Sequence, residues 1–93
     1  MTSYPPIRRP LLVRHARYRW DKVRGQHQVV YPEGLLVLNE SGAAIVQLCD
    51  GRSLEDLLSA LDAQFSGGQQ PADVEEFLQQ LAAKGLLHDA NDA

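Results

Sequence analysis

The stretch LNESGAAIVQLCDGRSLEDLLSAL, residues 38–61, contains two amphipathic segments separated by an Asp-Gly turn. Apolar residues recur every three or four positions in both segments: Ile45, Leu48 and Cys49 in the first, and Leu54, Leu57, Leu58 and Leu61 in the second. This spacing places each set on one face of a helix. The stretch therefore predicts a helix-turn-helix, which is a common DNA-binding motif.

Residues that often cap helices mark the ends of these segments. Asn39 precedes the first helix, where its side-chain oxygen can accept from free backbone N–H groups. Ser53 precedes the second and has capping-box spacing with Asp56. Gly51 can adopt the left-handed conformation that ends a helix. Gly42 lies inside the first helix, where glycine costs up to about 1 kcal/mol relative to alanine, and this predicts close packing.

A third helix is predicted after the loop SGGQQP, residues 66–71. Pro71 suits the first turn of a helix because its missing N–H has no partner there in any case. The apolar stripe behind it has helical spacing and consists of Val74, Phe77, Leu78 and Leu81. Gly85 closes this helix, and the two leucines that follow return to the core.

The residues before Asn39 predict strands. Residues 17–21 alternate between aromatic and charged side chains, a period of two that is typical of a half-buried strand. Residues 27–31 are a second β-rich run, and the two runs form a hairpin. The short apolar run 35–38 favours a third strand. We therefore predict an α+β, winged helix-turn-helix-like fold, with an N-terminal three-stranded antiparallel sheet followed by three α-helices.

The chain length of 93 residues suits a single domain with one modest core. Three prolines and the absence of an apolar period in residues 1–10 predict a flexible N-terminal arm. This leaves residues 11–88 as the winged-helix-like domain and residues 89–93 as a C-terminal tail. Because an extended segment beside a hairpin can exchange between copies, we expect a monomer or a domain-swapped dimer.

The composition is that of a soluble globular protein, with 44% hydrophobic and 23% charged residues, and the features that follow predict a cytoplasmic location. No apolar run approaches the roughly 20 residues that a membrane span requires. The N-terminal arginines are not followed by the apolar segment of a secretory signal. The single cysteine precludes an internal disulfide and fits a reducing compartment.

The sequence shows no pattern of catalytic or metal-binding residues. The three histidines are isolated from other ligand types, and the glycines are spread over turns rather than gathered in a phosphate-binding loop. Cys49 lies on the apolar face of the first helix, where a free cysteine usually acts as a small hydrophobe. A catalytic Cys–His pair stays open as an alternative, because the fold can bring together two such residues that are far apart in the sequence. We expect no catalytic residue, no metal and no cofactor, and therefore no enzyme.

The charge distribution argues against nucleic acid as a partner. Residues 1–30 hold seven basic residues and one acidic one, whereas residues 31–93 hold two basic and eleven acidic. A recognition helix needs Arg, Lys, Asn or Gln directed at bases and phosphates. The second helix contains only acidic charges, and the third has Lys84 only at its far end. Both helices would therefore repel a phosphate backbone.

A winged helix without a basic helix can still offer a sheet edge and a groove. If residues 35–38 form an edge strand, their unpaired backbone groups can accept an extended peptide as an additional strand. The apolar stripe of the third helix would then supply the wall of the groove. The simpler interpretation is that most of this stripe belongs to the core, because it is no wider than a core-facing helix needs.

Several short motifs occur in a fixed order from about residue 9 to residue 88: Arg19-Trp20-Asp21, Gly25-Gln26, Tyr31-Pro32-Glu33, Leu38-Asn39-Glu40, Leu48-Cys49-Asp50-Gly51, Phe77-Leu78 and Gly85-Leu86-Leu87. This ordered set resembles the PqqD family of pyrroloquinoline quinone (PQQ) biosynthesis. The LCDG motif alone indicates only the wider class of peptide-recognition domains. The Arg-Trp-Asp motif before it narrows the resemblance to PqqD.

The resemblance implies a peptide chaperone that binds the precursor peptide PqqA and presents it to PqqE, a radical S-adenosylmethionine enzyme. The iron–sulfur clusters and the chemistry would belong to that partner. In related domains the leader peptide adds to the third strand beside the third helix, which implies contacts with Leu35, Leu36, Val37, Leu38, Val74, Phe77, Leu78 and Leu81. Two alternatives stay open: a winged-helix DNA-binding regulator, and a recognition domain of another modified-peptide pathway.

Overall fold

The computed structural model describes residues 7–65 and 70–90. Strands and helices follow one another along the chain as β1 (Pro10–Leu12), β2 (Arg17–Asp21), β3 (Gln26–Tyr31), β4 (Gly34–Leu38), α1 (Glu40–Gln47), α2 (Leu54–Phe65), α3 (Pro71–Ala83) and β5 (Leu87–Asp89). The predicted α+β class and the three helices are confirmed for these residues.

Strands β2, β3 and β4 form an antiparallel sheet in that order. In its register Arg17 lies opposite Val30, and Val30 lies opposite Leu35. Val29 and Leu38 of this sheet are buried in the core. Since successive side chains of a strand point to opposite faces, the sheet covers the core with one face and turns the other away from it. The segments predicted as strands fall within these three.

A second, two-stranded sheet joins the two ends of the described chain, and the sequence analysis did not predict it. Strand β1 pairs antiparallel with β5. Next to this pair, the Asp89 carboxylate accepts hydrogen bonds from the backbone N–H groups of Arg8 and Arg9 at 3.0 and 3.1 Å. The fold therefore has two antiparallel sheets instead of one.

This second sheet also changes the expected limits of the domain. Ile7 and Pro10 are buried although they lie in the segment predicted as an arm, and Asp89, predicted to begin the tail, ends β5. Residues 7–10 and residue 89 thus pack on the domain. The remainder of the predicted arm, residues 1–6, and the end of the predicted tail, residues 91–93, lie outside the described residues.

The helix ends follow the capping rules that the sequence indicated. The Asn39 side chain accepts a hydrogen bond from the Gly42 backbone N–H at 2.7 Å, and the Ser53 hydroxyl accepts one from the Asp56 N–H at 3.1 Å. Pro71 occupies the first turn of α3. These caps satisfy backbone donors that have no partner inside a helix, so local sequence fixes where each helix begins.

The core lies between the three helices and the inner face of the β2–β3–β4 sheet. The predicted apolar residues of α1 and its end, Ile45, Leu48 and Cys49, are buried. The least exposed leucine and valine side chains are Val29, Val46, Leu57, Leu61, Val74, Leu78, Leu81 and Leu86. Burial of a leucine or valine side chain contributes about 1.5–3 kcal/mol, and this cluster therefore holds the three helices and the sheet together.

Candidate functional site

Strand β4 is one of the two edge strands of the larger sheet, with β2 at the opposite edge. Strand β3 pairs with one side of β4, and no other strand of the described residues pairs with its remaining side. An edge strand presents a row of backbone N–H and C=O groups that can accept a further strand. Leu35 and Val37 of this strand are 44% and 51% exposed, so β4 offers apolar side chains as well as backbone groups.

A groove of about 240 Å³ runs between β4 and α3. Its lining consists of Leu36, Val37, Leu38, Asn39, Phe77, Gln80, Leu81 and Lys84. The α3 side of the groove follows helical spacing, because positions 77, 80, 81 and 84 recur along one face of a helix. Lys84 is the only ionisable residue in the lining, so the groove offers contact surface and backbone groups rather than acid–base chemistry.

The apolar stripe of α3 is divided between the groove and the core. Phe77 is half-buried and lines the groove, as does the edge of the buried Leu81. Val74 and Leu78 are fully buried and line no part of it. The simpler interpretation of the stripe therefore applies to Val74 and Leu78, whose side chains hold α3 against the core.

The eight residues implied as peptide contacts are thus brought together only in part. Five of them line the groove: Leu36, Val37, Leu38, Phe77 and Leu81. Leu35 and Val37 share one face of the sheet, but only Val37 borders the groove, and Leu35 lines a separate depression. Three lining residues are not among the eight: Asn39, Gln80 and Lys84. Helical spacing from Phe77 could have found the last two, since they follow it by three and seven residues.

Gly42 of α1 packs against the wall of this groove, as its place inside a helix predicted. A Cβ at this position would lie 3.3 Å from Cζ of Phe77 and 3.1 Å from Oδ1 of Asn39. Both distances are shorter than ordinary van der Waals contact. Glycine at this position therefore allows the Phe77 ring to sit against the start of α1 and to leave the groove open.

We expect the substitution Gly42→Ala to change the free energy of unfolding by less than about 1 kcal/mol, because the helix propensity of alanine offsets the crowding. The Phe77 ring borders the open groove and can move into it. NMR should therefore show altered Phe77 ring shifts in a folded protein. The larger substitution Gly42→Leu should destabilise the fold by about 1–3 kcal/mol. Unchanged Phe77 shifts in Gly42→Ala would show that the contact is not tight.

Reactive side chains lie elsewhere and are engaged in structure. Burial raises the pKa of the Cys49 thiol to about 12, and its Sγ donates a hydrogen bond to the Ile45 carbonyl at 3.2 Å. His27 shares a hydrogen bond of 2.7 Å with the Tyr18 hydroxyl and contacts the Trp20 ring. Within residues 7–65 and 70–90, no three His, Cys, Asp or Glu side chains are grouped to hold a metal ion.

No helix in the described part of the chain is both long enough and apolar enough to span a membrane.

Comparison with known proteins points to one family. The family profile described as "Coenzyme PQQ synthesis protein D (PqqD)" matches residues 26–87. A PqqA binding protein of Rhodopseudomonas palustris (strain HaA2) is 37% identical over 87 residues, which cover 90% of this chain and 85% of the relative. A PqqA binding protein of Kluyvera intermedia is 40% identical over 72 residues, covering 75% and 78% of the two chains.

A solved structure shares the fold. It is the NMR structure of the PqqD truncation of Methylobacterium extorquens PqqCD, described as a functional, stand-alone recognition element for ribosomally synthesised and post-translationally modified peptides. It is 30% identical, covers 85% of this chain and 87% of its own, and superposes with a TM-score of 0.64. Residues 26–87, which the family profile matches, contain β3, β4 and all three described helices. The groove lies between two of these elements, β4 and α3. The chain belongs to the PqqD family.

Proposed function

We propose that this protein is a cytoplasmic peptide chaperone of PQQ biosynthesis, which binds the precursor peptide PqqA and presents it to the radical S-adenosylmethionine enzyme PqqE. The observation that carries the proposal is the groove of about 240 Å³ beside the unpaired edge of β4. Relatives that are 37–40% identical carry the name PqqA binding protein. The protein itself performs no chemistry in this proposal.

The peptide would bind as an additional strand along β4. Main-chain hydrogen bonds to the free edge would supply affinity, and alternate side chains would enter the groove against Phe77 and Leu81. The groove volume supports this mode, because clefts that enclose a whole small ligand have about 300–1,000 Å³. A smaller groove suits one or two side chains of a peptide whose backbone is bound along β4, outside the groove.

The helix-turn-helix of α1 and α2 would serve in this mode as a scaffold. The first turn of α2 carries Glu55 and Asp56, and no basic residue lies within the helix. Helix α3 likewise carries acidic residues and no basic one between Pro71 and Ala83. Because a phosphate backbone would be repelled by both helices, the charges disfavour the DNA-binding alternative. A recognition role in another modified-peptide pathway would use the same groove with a different peptide.

The substitution Gln80→Trp tests the groove, because an indole at this lining position should fill it. We expect the affinity for synthetic PqqA to fall by about tenfold or more, equivalent to about 1.4 kcal/mol, as measured by calorimetric titration. The matched control is Gln64→Trp on α2, where glutamine is also exposed but lines no part of the groove. This control should bind as the unmodified protein does.

Equal affinities of the two tryptophan variants would show that PqqA does not occupy this groove. If the unmodified protein bound no PqqA but bound another precursor peptide, the recognition role in a different pathway would replace the proposal. Circular dichroism of both variants checks the fold, since the helix propensity of tryptophan differs from that of glutamine by only a few tenths of a kcal/mol.

A further inference from the structure

The face of the β2–β3–β4 sheet that points away from the core is apolar along one margin and cationic along the other. We call it the outer face. It is formed by alternate residues of the three strands, which the register places side by side: Arg17, Arg19, Asp21, Gln26, Gln28, Val30, Leu35 and Val37. The arginines lie on β2, and the exposed leucine and valine lie on β4.

Exposed apolar surface is concentrated here. Four large hydrophobic side chains are exposed in the described residues, and three of them belong to this region: Leu35, Val37 and Val23, the last 94% exposed in the β2–β3 turn. Val23, Val30 and Leu35 line a shallow depression of about 340 Å³, together with Arg19 and Arg24. A contiguous apolar patch bordered by polar residues is typical of an interaction site, whereas single exposed apolar residues are not.

The positive charges of this region outnumber its acidic ones: Arg17, Arg19, Lys22 and Arg24 lie on β2 and the β2–β3 turn, with Asp21 as the one carboxylate beside them. The only ion pair found between described residues joins Arg52 and Asp50, at 2.9 Å and away from this sheet. Asp21, the one carboxylate of the outer face, accepts hydrogen bonds from the Val23 and Arg24 backbone N–H groups and from the Gln28 amide. The Arg24 backbone N–H lowers the pKa of this carboxyl, and the charges of Arg19 and Arg24 add to the effect. Asp21 therefore offsets part of the positive charge, and the region keeps a net positive charge.

We propose that the outer face docks a partner protein whose own surface carries carboxylates around an exposed apolar centre. Charge complementarity argues for acidic groups on the partner, because they would neutralise the arginines of β2 and the β2–β3 turn. The exposed valines and leucine argue for protein rather than nucleic acid, since the centre of a protein interface is apolar while phosphate contacts are polar.

The position of the outer face also indicates which partner would use it, and this step rests on the proposed function. A peptide added to β4 would extend the sheet by one strand. Every second side chain of that peptide would then lie on the outer face, next to Leu35 and Val37. A protein docked there would contact the chaperone and the bound peptide as one surface. The enzyme that receives the peptide is therefore the expected occupant.

The charge reversal Arg19→Glu tests the docking surface. We expect the affinity for PqqE, measured anaerobically by surface plasmon resonance, to fall by about tenfold or more, because like charges would face each other across the interface. The affinity for PqqA should stay within about twofold, because Arg19 lines no part of the peptide groove. The matched control is Arg14→Glu in the exposed turn between β1 and β2, which should leave both affinities unchanged.

A second measurement needs no variant. The methyl groups of Val23, Val30 and Leu35, which line the depression and not the peptide groove, should broaden in NMR spectra when unlabelled PqqE is added, while exposed sites of α2 should not. Equal losses of PqqE affinity in both glutamate variants, broadening confined to α2, or no binding of PqqE by the unmodified protein would overturn the proposal. So would duplex DNA binding that Arg19→Glu abolishes. Titration with PqqA alone reports separately on the proposed function.

Discussion

The substitution Leu78→Ala is expected to lower the free energy of unfolding by about 2–5 kcal/mol. Leu78 is 1% exposed, and its removal would leave a cavity between α3 and the rest of the core. A domain of 93 residues has a total stability of about 5–14 kcal/mol. The loss would therefore be a large fraction of the whole. Urea unfolding followed by circular dichroism measures it.

The control for this experiment is Leu35→Ala, which makes the same truncation at another of the implied peptide contacts, on β4 instead of α3. Leu35 is 44% exposed on the outer face, so we expect a loss below about 1 kcal/mol. Similar losses in the two variants would contradict the division of the implied contacts into core and surface residues. A loss of PqqA affinity in fully folded Leu78→Ala, comparable to that of Gln80→Trp, would contradict it as well.

The helices could be predicted from sequence because their signals are local. Asn39, Ser53 and Pro71 each mark a helix start by chemistry within one turn. The apolar period of 3.6 then identifies the buried face. The assignment of Gly42 to a close contact was also correct, since a glycine inside a helix needs a reason in the packing.

The second sheet could not be predicted for the opposite reason. Strands β1 and β5 have three residues each, which is too short for an alternating pattern to stand out. Their pairing joins residues 10–12 to residues 87–89, and no local signal reports a partner so distant along the chain. The prolines at the start of the chain moreover favoured an extended arm, although Pro10 occupies the first position of β1.

The groove lies between the two elements that the resemblance implied, β4 and α3, but only five of the eight implied residues line it. The run Leu35–Leu38 is uniformly apolar, so no alternation shows which side chains face the groove. On α3, Val74 and Phe77 belong to one stripe, yet only Phe77 lines the groove. The part of a helix stripe that remains accessible depends on which residues the neighbouring elements cover. Gln80 and Lys84 line the groove because β4 lies beside them.

Cys49 should react with a thiol reagent such as a disulfide far more slowly in the native protein than in the unfolded chain. The difference between an ordinary pKa of 9.0 and a native pKa of about 12 lowers the thiolate fraction about 1,000-fold at pH 8. Steric exclusion slows the reaction further, because the residue is only 4% exposed. Absorbance of the released thiol gives the rate, and the same protein in guanidinium chloride serves as the control.

The same pKa predicts how stability depends on pH. The native state holds the thiol proton more tightly than the unfolded state does. The contribution of Cys49 to the free energy of unfolding is therefore fully present below pH 9 and is lost as the pH rises from 9 towards 12.

The reaction of Cys49 with the thiol reagent should depend on opening of the core. Leu78→Ala should accelerate this reaction by increasing the population of open molecules. A fast native reaction at pH 8, insensitive to that substitution, would mean that Cys49 is an accessible thiolate. In that case the assignment of Cys49 to the buried core as a small hydrophobic residue would be wrong.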